Sequence, residues 1–164
     1  MSAADFCPGI GRIFIRVIDE DEPRPSSTSV YEEWGEMAPE ARDMLMLRWM
    51  VEAISDDGKT TQVGDMSAHA VWYGPTLPSK AMNIGISLVN ECRGKGIGSI
   101  AQRLLAAELH RLGFIRVEAQ TDVKNIAEQK ALNRAGFILE GVARKAQGRA
   151  DGIHDLQVWS HISD

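Results

Sequence analysis

Short runs of alternating or continuous apolar residues, separated by Gly, Pro, Asp and Ser, dominate the first half of the chain and predict β-strands. These predicted strands span residues 12–18, 45–54, 60–73 and 81–89. The 45–54 run also fits a helix, but Asp56-Asp57-Gly58 follows it, and Asp-Gly is a strong hairpin signal. We therefore interpret the run as a strand and expect the last three strands to form an antiparallel meander.

The apolar spacing changes to a helical period after residue 96. Five apolar residues then share one face: Ile97, Ala101, Leu104, Leu105 and Leu112. Gly113 follows them, where a helix end favours a left-handed residue. The chain continues with a predicted strand at 114–119, a helix from Asn125 to about Arg134, and strands at 137–142 and 156–162 joined by a polar link. This order predicts an α/β (α+β) fold with a mixed, mostly antiparallel sheet of about seven strands flanked by helices.

The segments before and after the first strand carry less pattern. Residues 1–11 are expected to be loose, because they are small and punctuated by Gly and Pro. Residues 19–27 are acidic and then rich in Pro and Ser, which predicts a loop. A short helix through residues 30–34 is expected to follow, with an N-cap at one of three positions: Ser26, Ser27 or Thr28.

Composition narrows the class of protein. A chain of 164 residues with 44% hydrophobic and 25% charged residues fits one globular domain, which we expect to span 1–164. The net charge of -5 argues against a nucleic-acid partner, since phosphate backbones select excess Lys and Arg. No apolar run has membrane-spanning length and no signal-peptide pattern is present, so a cytoplasmic protein without a membrane partner is expected. Cys7 and Cys92 show no metal-ligand spacing, and neither a disulfide nor a metal site is predicted.

A glycine-rich turn joins the strand at 81–89 to the first helix. It reads Arg-Gly-Lys-Gly-Ile-Gly from Arg93 to Gly98. Glycine lets the backbone N–H groups approach a ligand, and the free N–H groups and macrodipole of a helix N-terminus attract an anion. With Arg93 and Lys95 beside it, the turn predicts a phosphate site.

Three other interpretations of the turn are weaker. It does not continue into the Gly-Lys-Ser/Thr ending of a P-loop. Gly96 to Ala101 matches the dinucleotide fingerprint Gly-x-Gly-x-x-Ala, and Glu118 stands about twenty residues on. However, a meander precedes the turn, only 66 residues follow Gly98, and the chain ends in an antiparallel pair. A purely structural strand-to-helix corner stays open as the third interpretation.

The motifs together resemble the GCN5-related N-acetyltransferase (GNAT) superfamily over about residues 60–162. Its pyrophosphate-binding motif corresponds to residues 93–98. Its second CoA-binding segment resembles a set of residues at the second helix: Asn125, Ala131, Leu132, Ala135, Gly136 and Phe137. The Rim-type branch, which acetylates the N-termini of ribosomal proteins, is similar at four places: residues 137–142, Arg144, His154 and Asp155.

This resemblance implies acetyl-CoA as the co-substrate, and no metal is expected. In this superfamily two strands splay apart beside the glycine turn, and pantetheine lies between them. The CoA-binding residues that it implies are Ile86, Ser87, Leu88, Arg93, Gly94, Lys95, Gly96, Ile97, Gly98, Ser99 and Asn125. Many members carry a Tyr seven residues after this Asn, as the acid for the leaving thiolate. Leu132 stands there, which excludes that route.

The general base is less well marked. The candidates are His69 on the meander, Glu91 before the glycine turn and Glu128 in the first turn of the second helix. Their ordinary roles would be a core-edge histidine, a solvated loop carboxylate and a partner of the helix dipole. Some Rim-type members use a carboxylate after the Glu-Gly strand, but the matching position is close to Gln147, which cannot act as a base.

We therefore expect an N-acetyltransferase that moves an acetyl group from acetyl-CoA to a primary amine by direct attack in a ternary complex. The acceptor would be a small-molecule amine or a protein N-terminus, with residues 1–59 as acceptor-side elements. A homodimer is expected because dimers are common in this superfamily. Two alternatives stay open: a non-catalytic acyl-CoA-binding module, which the missing Tyr permits, and a dinucleotide-binding oxidoreductase.

Overall fold

A computed structural model of the protein describes residues 5–43 and 45–164. Within these residues the chain forms one eight-stranded sheet. Its strands are β1 Phe6–Cys7, β2 Gly11–Val17, β3 Leu47–Ile54, β4 Thr60–Trp72, β5 Lys80–Leu88, β6 Arg116–Asp122, β7 Ile138–Arg149 and β8 Gly152–Ile162. Their spatial order is β1-β2-β3-β4-β5-β6-β8-β7. Neighbouring strands are antiparallel except β5 and β6, which confirms the predicted mixed, mostly antiparallel sheet.

In the same part of the chain, two α-helices pack on one face of the sheet. α1 spans Ile97–Arg111 and α2 spans Ile126–Arg134. α1 is the crossover that two parallel neighbours such as β5 and β6 require. Its apolar stripe, including Leu105 and Leu109, is fully buried in the core. Leu112, which was predicted on this stripe, is exposed because the helix has ended before it.

The strands place apolar and polar side chains on opposite faces of the sheet. In β4, Met66 and Ala68 are buried in the core with the helices, whereas Asp65, Ser67 and His69 line a cavity. Successive residues of a strand point to opposite faces, so one face of β4 is apolar and the other is polar. The polar face is therefore the side of the sheet that can form hydrogen bonds with a substrate.

β5 and β6 separate towards the glycine turn. Their parallel pairing covers three residue pairs, from Met82–Val117 to Ile84–Ala119. Beyond it, residues 85–88 pair with β4, and residues 120–122 pair with β8. The two strand edges that face each other therefore keep backbone N–H and C=O groups outside the ladder. The predicted splay beside the glycine turn is confirmed.

Two predictions for the N-terminal segments were wrong. Residues 6–7, expected to be loose, form β1 and pair with β2. The predicted short helix is a single 3-10 turn at Val30–Glu32. Its N-cap is Ser29, which accepts from the N–H of Tyr31, and not one of the three earlier positions.

The last two strands are much longer than the predicted runs 137–142 and 156–162. The polar segment between those runs is itself paired, and the strands meet at a turn of residues 150–151. A register shift interrupts β7, where Lys145 has a φ angle of 50° and its N–H donates to Asp155 at 2.7 Å. Backbone pairing holds these polar residues in a strand, so an apolar pattern could not reveal it.

Gly64 permits β4 and β5 to approach closely beside the polar face. A Cβ at this position would lie 2.4 Å from the carbonyl oxygen of Ser87 and 2.8 Å from Leu88 Cδ2. Gly64→Ala is therefore expected to destabilise the fold by about 1–3 kcal/mol, because backbone must move. Gly148→Ala in β7 is the matched control, since its Cβ would meet Ile153 at an ordinary 3.6 Å. Equal Tm values for the two variants would contradict this prediction.

Candidate active site

The glycine turn has the geometry of an anion site. Gly94 and Gly96 have φ angles of 71° and 89°, in the left-handed region that favours glycine. Gly96 is the N-cap of α1 and makes no side-chain cap, so the first N–H groups of the helix are left for a ligand. Arg93 donates from Nε to the carbonyl of Leu88 at 3.2 Å, which holds its guanidinium beside the end of β5.

A cavity of about 570 Å³, here called the donor groove, extends from the glycine turn to the splay. Ten of the predicted CoA-binding residues line it: Ile86, Ser87, Leu88, Arg93, Gly94, Gly96, Ile97, Gly98, Ser99 and Asn125. Lys95 does not line it; this residue is exposed, and its carbonyl accepts from Cys7 Sγ at 2.9 Å. Lys130 and Arg134 of α2 also line the groove. Sequence reasoning missed them, although their i,i+4 spacing places both on one helix face.

A second cavity of about 880 Å³, here called the acceptor cavity, lies over the polar face of the sheet. Ser67, His69, Asn83 and Gln120 are among its lining residues. Seven residues line both cavities, and we call this set the junction: Ser29, Tyr31, Glu32, Ile86, Ser87, Asn125 and Glu128. The two cavities therefore meet beside the splay.

Residues 24–35, here called the strap, form one wall of the junction. The hydroxyl groups of Ser27 and Ser87 share a hydrogen bond. Further along the strap, the N–H of Ala150 donates to the carbonyl of Glu33 at 2.9 Å. The strap is thus tied to β5 on one side of the splay and to the β7–β8 turn on the other.

Of the three candidate bases, Glu128 lies at the junction. Burial raises the pKa of Glu128 to about 7, and the neighbouring Gln102 amide opposes part of that rise. Gln102 is itself buried, and its amide nitrogen has no hydrogen bond of normal length within the described residues. A carboxyl group with a pKa near 7 is matched to accepting a proton at neutral pH.

The other two candidates lie elsewhere. His69 lines the acceptor cavity without reaching the junction, and it pairs with Asn83 across β4 and β5. Burial lowers the pKa of His69, and the charge of Glu118 opposes part of that effect. Glu91 is exposed in a 3-10 turn, Asn90–Cys92, and lines neither cavity. The structure thus brings Glu128 and His69 to the two cavities, and leaves Glu91 outside them.

Three further carboxylates, which sequence reasoning missed, line the acceptor cavity: Asp65 on β4, Glu32 on the strap and Asp122 on β6. Burial raises the pKa of Asp65 and of Glu32. Oδ2 of Asp65 lies 3.8 Å from Nη1 of Arg24 and 3.8 Å from Nη1 of Arg48. The alternation of polar and apolar residues in β4 is the signal that could have placed Asp65 on this face.

A buried ion pair closes the far side of the acceptor cavity. Nη1 of Arg149 donates to Oδ2 of Asp122 at 2.6 Å, and the two side chains are 3% and 1% exposed. Gln147 accepts from the same guanidinium, and Nδ1 of His154 lies 2.8 Å from Asp122. Burial alone would raise the pKa of Asp122, but the Lys124 N–H, Arg149 and His154 outweigh it and lower that pKa. Gln147 therefore serves to orient the guanidinium.

In the part of the chain that the structure describes, no helix is long and apolar enough to cross a membrane. The same residues contain no group of three or more His, Cys, Asp or Glu side chains that could hold a metal ion.

The fold and the site define the class of protein. The profile of the acetyltransferase (GNAT) domain matches residues 12–138. The chain therefore belongs to the GNAT acetyltransferase family, and the resemblance drawn from its motifs is confirmed. The splayed mixed sheet with its two helices is a GNAT-like fold.

Several solved structures are similar to this chain. RimL, the ribosomal L7/L12 α-N-protein acetyltransferase in complex with coenzyme A, is 24% identical with a TM-score of 0.60, covering 76% of this chain and 65% of that one. RimJ of Mycobacterium smegmatis, in complex with CoA-disulfide, is 22% identical with a TM-score of 0.60, covering 76% and 56%. MccE, the microcin C7 self-immunity acetyltransferase in complex with acetyl-CoA and AMP, is 26% identical with a TM-score of 0.59, covering 72% and 61%. The chain thus spans less than two thirds of the length of each, and at these identities RimL and RimJ share its fold. A comparison with curated proteins found no match.

Proposed function

We propose that the chain transfers an acetyl group from acetyl-CoA to a primary amine by direct attack in a ternary complex. The observation that carries the proposal is the junction, where a groove that begins at an anion site meets a polar cavity beside two splayed strands. A donor in the groove and an acceptor in the cavity would have their reacting groups side by side there. Family membership supports this reaction, and MccE was solved with acetyl-CoA.

The donor groove suits CoA along its length. The N–H groups of the glycine turn, with Arg93, Lys130 and Arg134, would hold the pyrophosphate. The open edge of β5 would pair with the amides of pantetheine, as a sheet edge does with an added strand. Asn125 caps α2 by accepting from the N–H of Glu128 at 3.2 Å, and this cap uses its oxygen only. Its amide nitrogen would donate to the pantetheine arm.

Acetyl transfer removes one proton from the amine and delivers one to the sulfur. The neutral amine attacks the thioester carbon, and the C–S bond of the tetrahedral intermediate then breaks. Glu128 would take the amine proton, directly or through one water, and N–H groups of the open β5 edge would stabilise the oxyanion. The thiolate would take its proton from water or from a hydroxyl at the junction, since Leu132 is fully buried and carries no acidic group.

Gly96 provides the test of the donor site. A Cβ there would have no atom within 4 Å, so a larger side chain would enter the groove. Gly96→Val is expected to weaken acetyl-CoA binding by at least ~100-fold, or about 2.7 kcal/mol, in calorimetry. Gly113→Val is the matched control, because Gly113 has a φ angle of 98° and open space but lies at the other end of α1. Wild-type affinity in both variants would contradict the donor site.

A non-catalytic acyl-CoA-binding module is the second candidate, and Leu132 in place of a Tyr favours it. CoA release from acetyl-CoA with a panel of amines and peptides, followed by mass spectrometry, separates the two. An enzyme releases CoA together with an acetylated product, whereas a binding module takes up acetyl-CoA without turnover. Family membership leaves the dinucleotide-binding oxidoreductase without support.

We also propose that residues 1–164 form one acyltransferase domain, because the strands from β1 to β8 belong to a single sheet. The acceptor is a small-molecule amine or a protein N-terminus at this level of the proposal. The cytoplasmic location and the homodimer stay predictions.

A further inference from the structure

The acceptor cavity contains two arginines whose hydrogen-bond donors are unused. Arg24 of the strap and Arg48 of β3 each place Nη1 3.8 Å from the same atom, Oδ2 of Asp65. This distance is too long for a hydrogen bond. Within residues 5–43 and 45–164, the polar contacts of the two guanidinium groups are these two approaches to Asp65. Both residues line the cavity, so their donors are open to a ligand.

Arg149, which lines the same cavity, differs because its guanidinium group is held by hydrogen bonds. It donates to Asp122 at 2.6 Å and to Gln147 at 2.6 and 2.9 Å, and it is almost fully buried. Arg24 and Arg48 keep 51% and 35% of their side chains exposed. A structural role accounts for Arg149, whereas no hydrogen bond of this kind from the described residues holds the guanidinium groups of Arg24 and Arg48.

We infer that Arg24 and Arg48 bind an anionic group of the acceptor, which is a small amine with a carboxylate or phosphate a few atoms from its attacking nitrogen. The inference rests on the proposed acetyl transfer. Guanidinium groups side by side match the oxygens of a carboxylate or phosphate. Asp65 is the cross-strand partner of Ser87, which lines the junction, so the arginine pair lies beside the strand that neighbours the junction. This placement suits an amino acid or an aminoalkyl phosphate, whereas a peptide has an amide in place of the nearest carboxylate.

Matched pairs of acceptors test the anion directly. CoA release is measured on the twenty amino acids and their carboxamides, on phosphoethanolamine and ethanolamine, and on tripeptides with a free N-terminus. We expect the anionic member of a pair to have a kcat/KM at least ~10-fold higher, because charge-assisted hydrogen bonds are strong. The two kinds of pair distinguish a carboxylate from a phosphate. Equal values within each pair, or a preference for tripeptides, overturn the inference.

Substitution of Arg24 and Arg48 tests whether these two residues bind the anionic group of the acceptor. Arg24→Gln/Arg48→Gln is expected to raise the KM for the anionic acceptor at least ~10-fold. The kcat, the KM for acetyl-CoA and the rate with the carboxamide should stay unchanged. Arg111→Gln is the matched control, because Arg111 lies on the exposed side of α1 and pairs with Glu108. If the arginines only neutralise Asp65, the double variant lowers the Tm without changing the acceptor KM, and the inference is overturned.

If the double variant does not fold, Arg24→Gln alone, at an exposed position of the strap, gives the same comparison of KM values. If acetyl-CoA binds but no acceptor is turned over, the proposed acetyl transfer fails and the inference falls with it. That result is distinct from turnover without a preference for the anion, which overturns the inference alone.

Discussion

Glu128→Gln is expected to lower kcat by about 10²- to 10⁴-fold, the usual effect of losing a general base. Glutamine keeps the shape and the hydrogen-bonding oxygen of the side chain but cannot take a proton from the amine. The Kd for acetyl-CoA should change little, because the anion site at the glycine turn is untouched. Steady-state CoA release measures kcat, and calorimetry on the same sample measures the Kd for acetyl-CoA.

The pH dependence of kcat/KM identifies the group that acts as the general base. Burial raises the pKa of Glu128 to about 7, so the carboxylate form that accepts a proton is lost as the pH falls through 7. Protonation of the acceptor amine lowers kcat/KM equally in wild type and variant, so below that pH the wild-type value should fall about tenfold per unit more steeply than that of Glu128→Gln. Equal slopes in the two proteins would assign the base to another group, such as His69.

Glu91→Gln is the matched control for this assignment. Glu91 has the same charge and was a candidate on sequence grounds, but it lines neither cavity. Its replacement should leave kcat unchanged. A loss of rate as large as that of Glu128→Gln would contradict the role of the junction.

The same ionisation has a second, independent readout in stability. The pKa of Glu128 rises from an ordinary value of 4.5 to about 7 on folding, so the folded state binds the additional proton between those values. The corresponding stability is fully present below about pH 4.5 and is lost as the pH rises through 7. Glu128→Gln should therefore have a higher Tm than wild type at pH 8 and a similar Tm at pH 4.

Arg149→Met is expected to destabilise the protein by about 3–5 kcal/mol, which is large for one side chain. The substitution leaves the buried carboxylate of Asp122 with His154 and the N–H of Lys124 as its partners. It also removes a cation that lies 5.5 Å from the ring centre of Tyr31, so the strap loses a contact. The free energy of unfolding from chemical denaturation measures the effect.

Two further variants distinguish the effect of breaking the buried ion pair from the effect of losing a charge. Asp122→Asn, added to Arg149→Met, removes the stranded charge and should restore part of the stability. Arg111→Met breaks an exposed pair with Glu108 and should leave the stability close to that of the wild type, because solvent screens the pair. If Arg149→Met and Arg111→Met had equal effects, burial would not be what makes the first pair important.

The sequence predicts best where local pattern and packing agree. The helical period from Ile97 places Ala101 and Leu105 on one face, and the same face is buried against the sheet. Asn125 is a preferred cap residue, and the structure uses it as the cap of α2. The glycine-turn part of the donor groove lies within residues 86–99, so its motif could be found by spacing alone.

The acceptor cavity could not be predicted in the same way, because its groups come from distant segments. Arg24, Arg48 and Asp65 belong to the strap, β3 and β4, and no spacing rule connects them. The position of Glu32 at the cavity depends on where the strap crosses the sheet. A strap without an apolar period gives no signal of its path until the tertiary structure is known.

The short parallel contact between β5 and β6 has a mechanical consequence. The described sheet consists of two leaves, β1 to β5 and β6 to β8, and three residue pairs form the seam between them. A pantetheine arm hydrogen-bonded along the open edge of β5 would extend this contact. The bound donor would then stabilise the sheet as well as react. In protein without the donor, we expect the sheet to open first between β5 and β6, where acetyl transfer is proposed to take place.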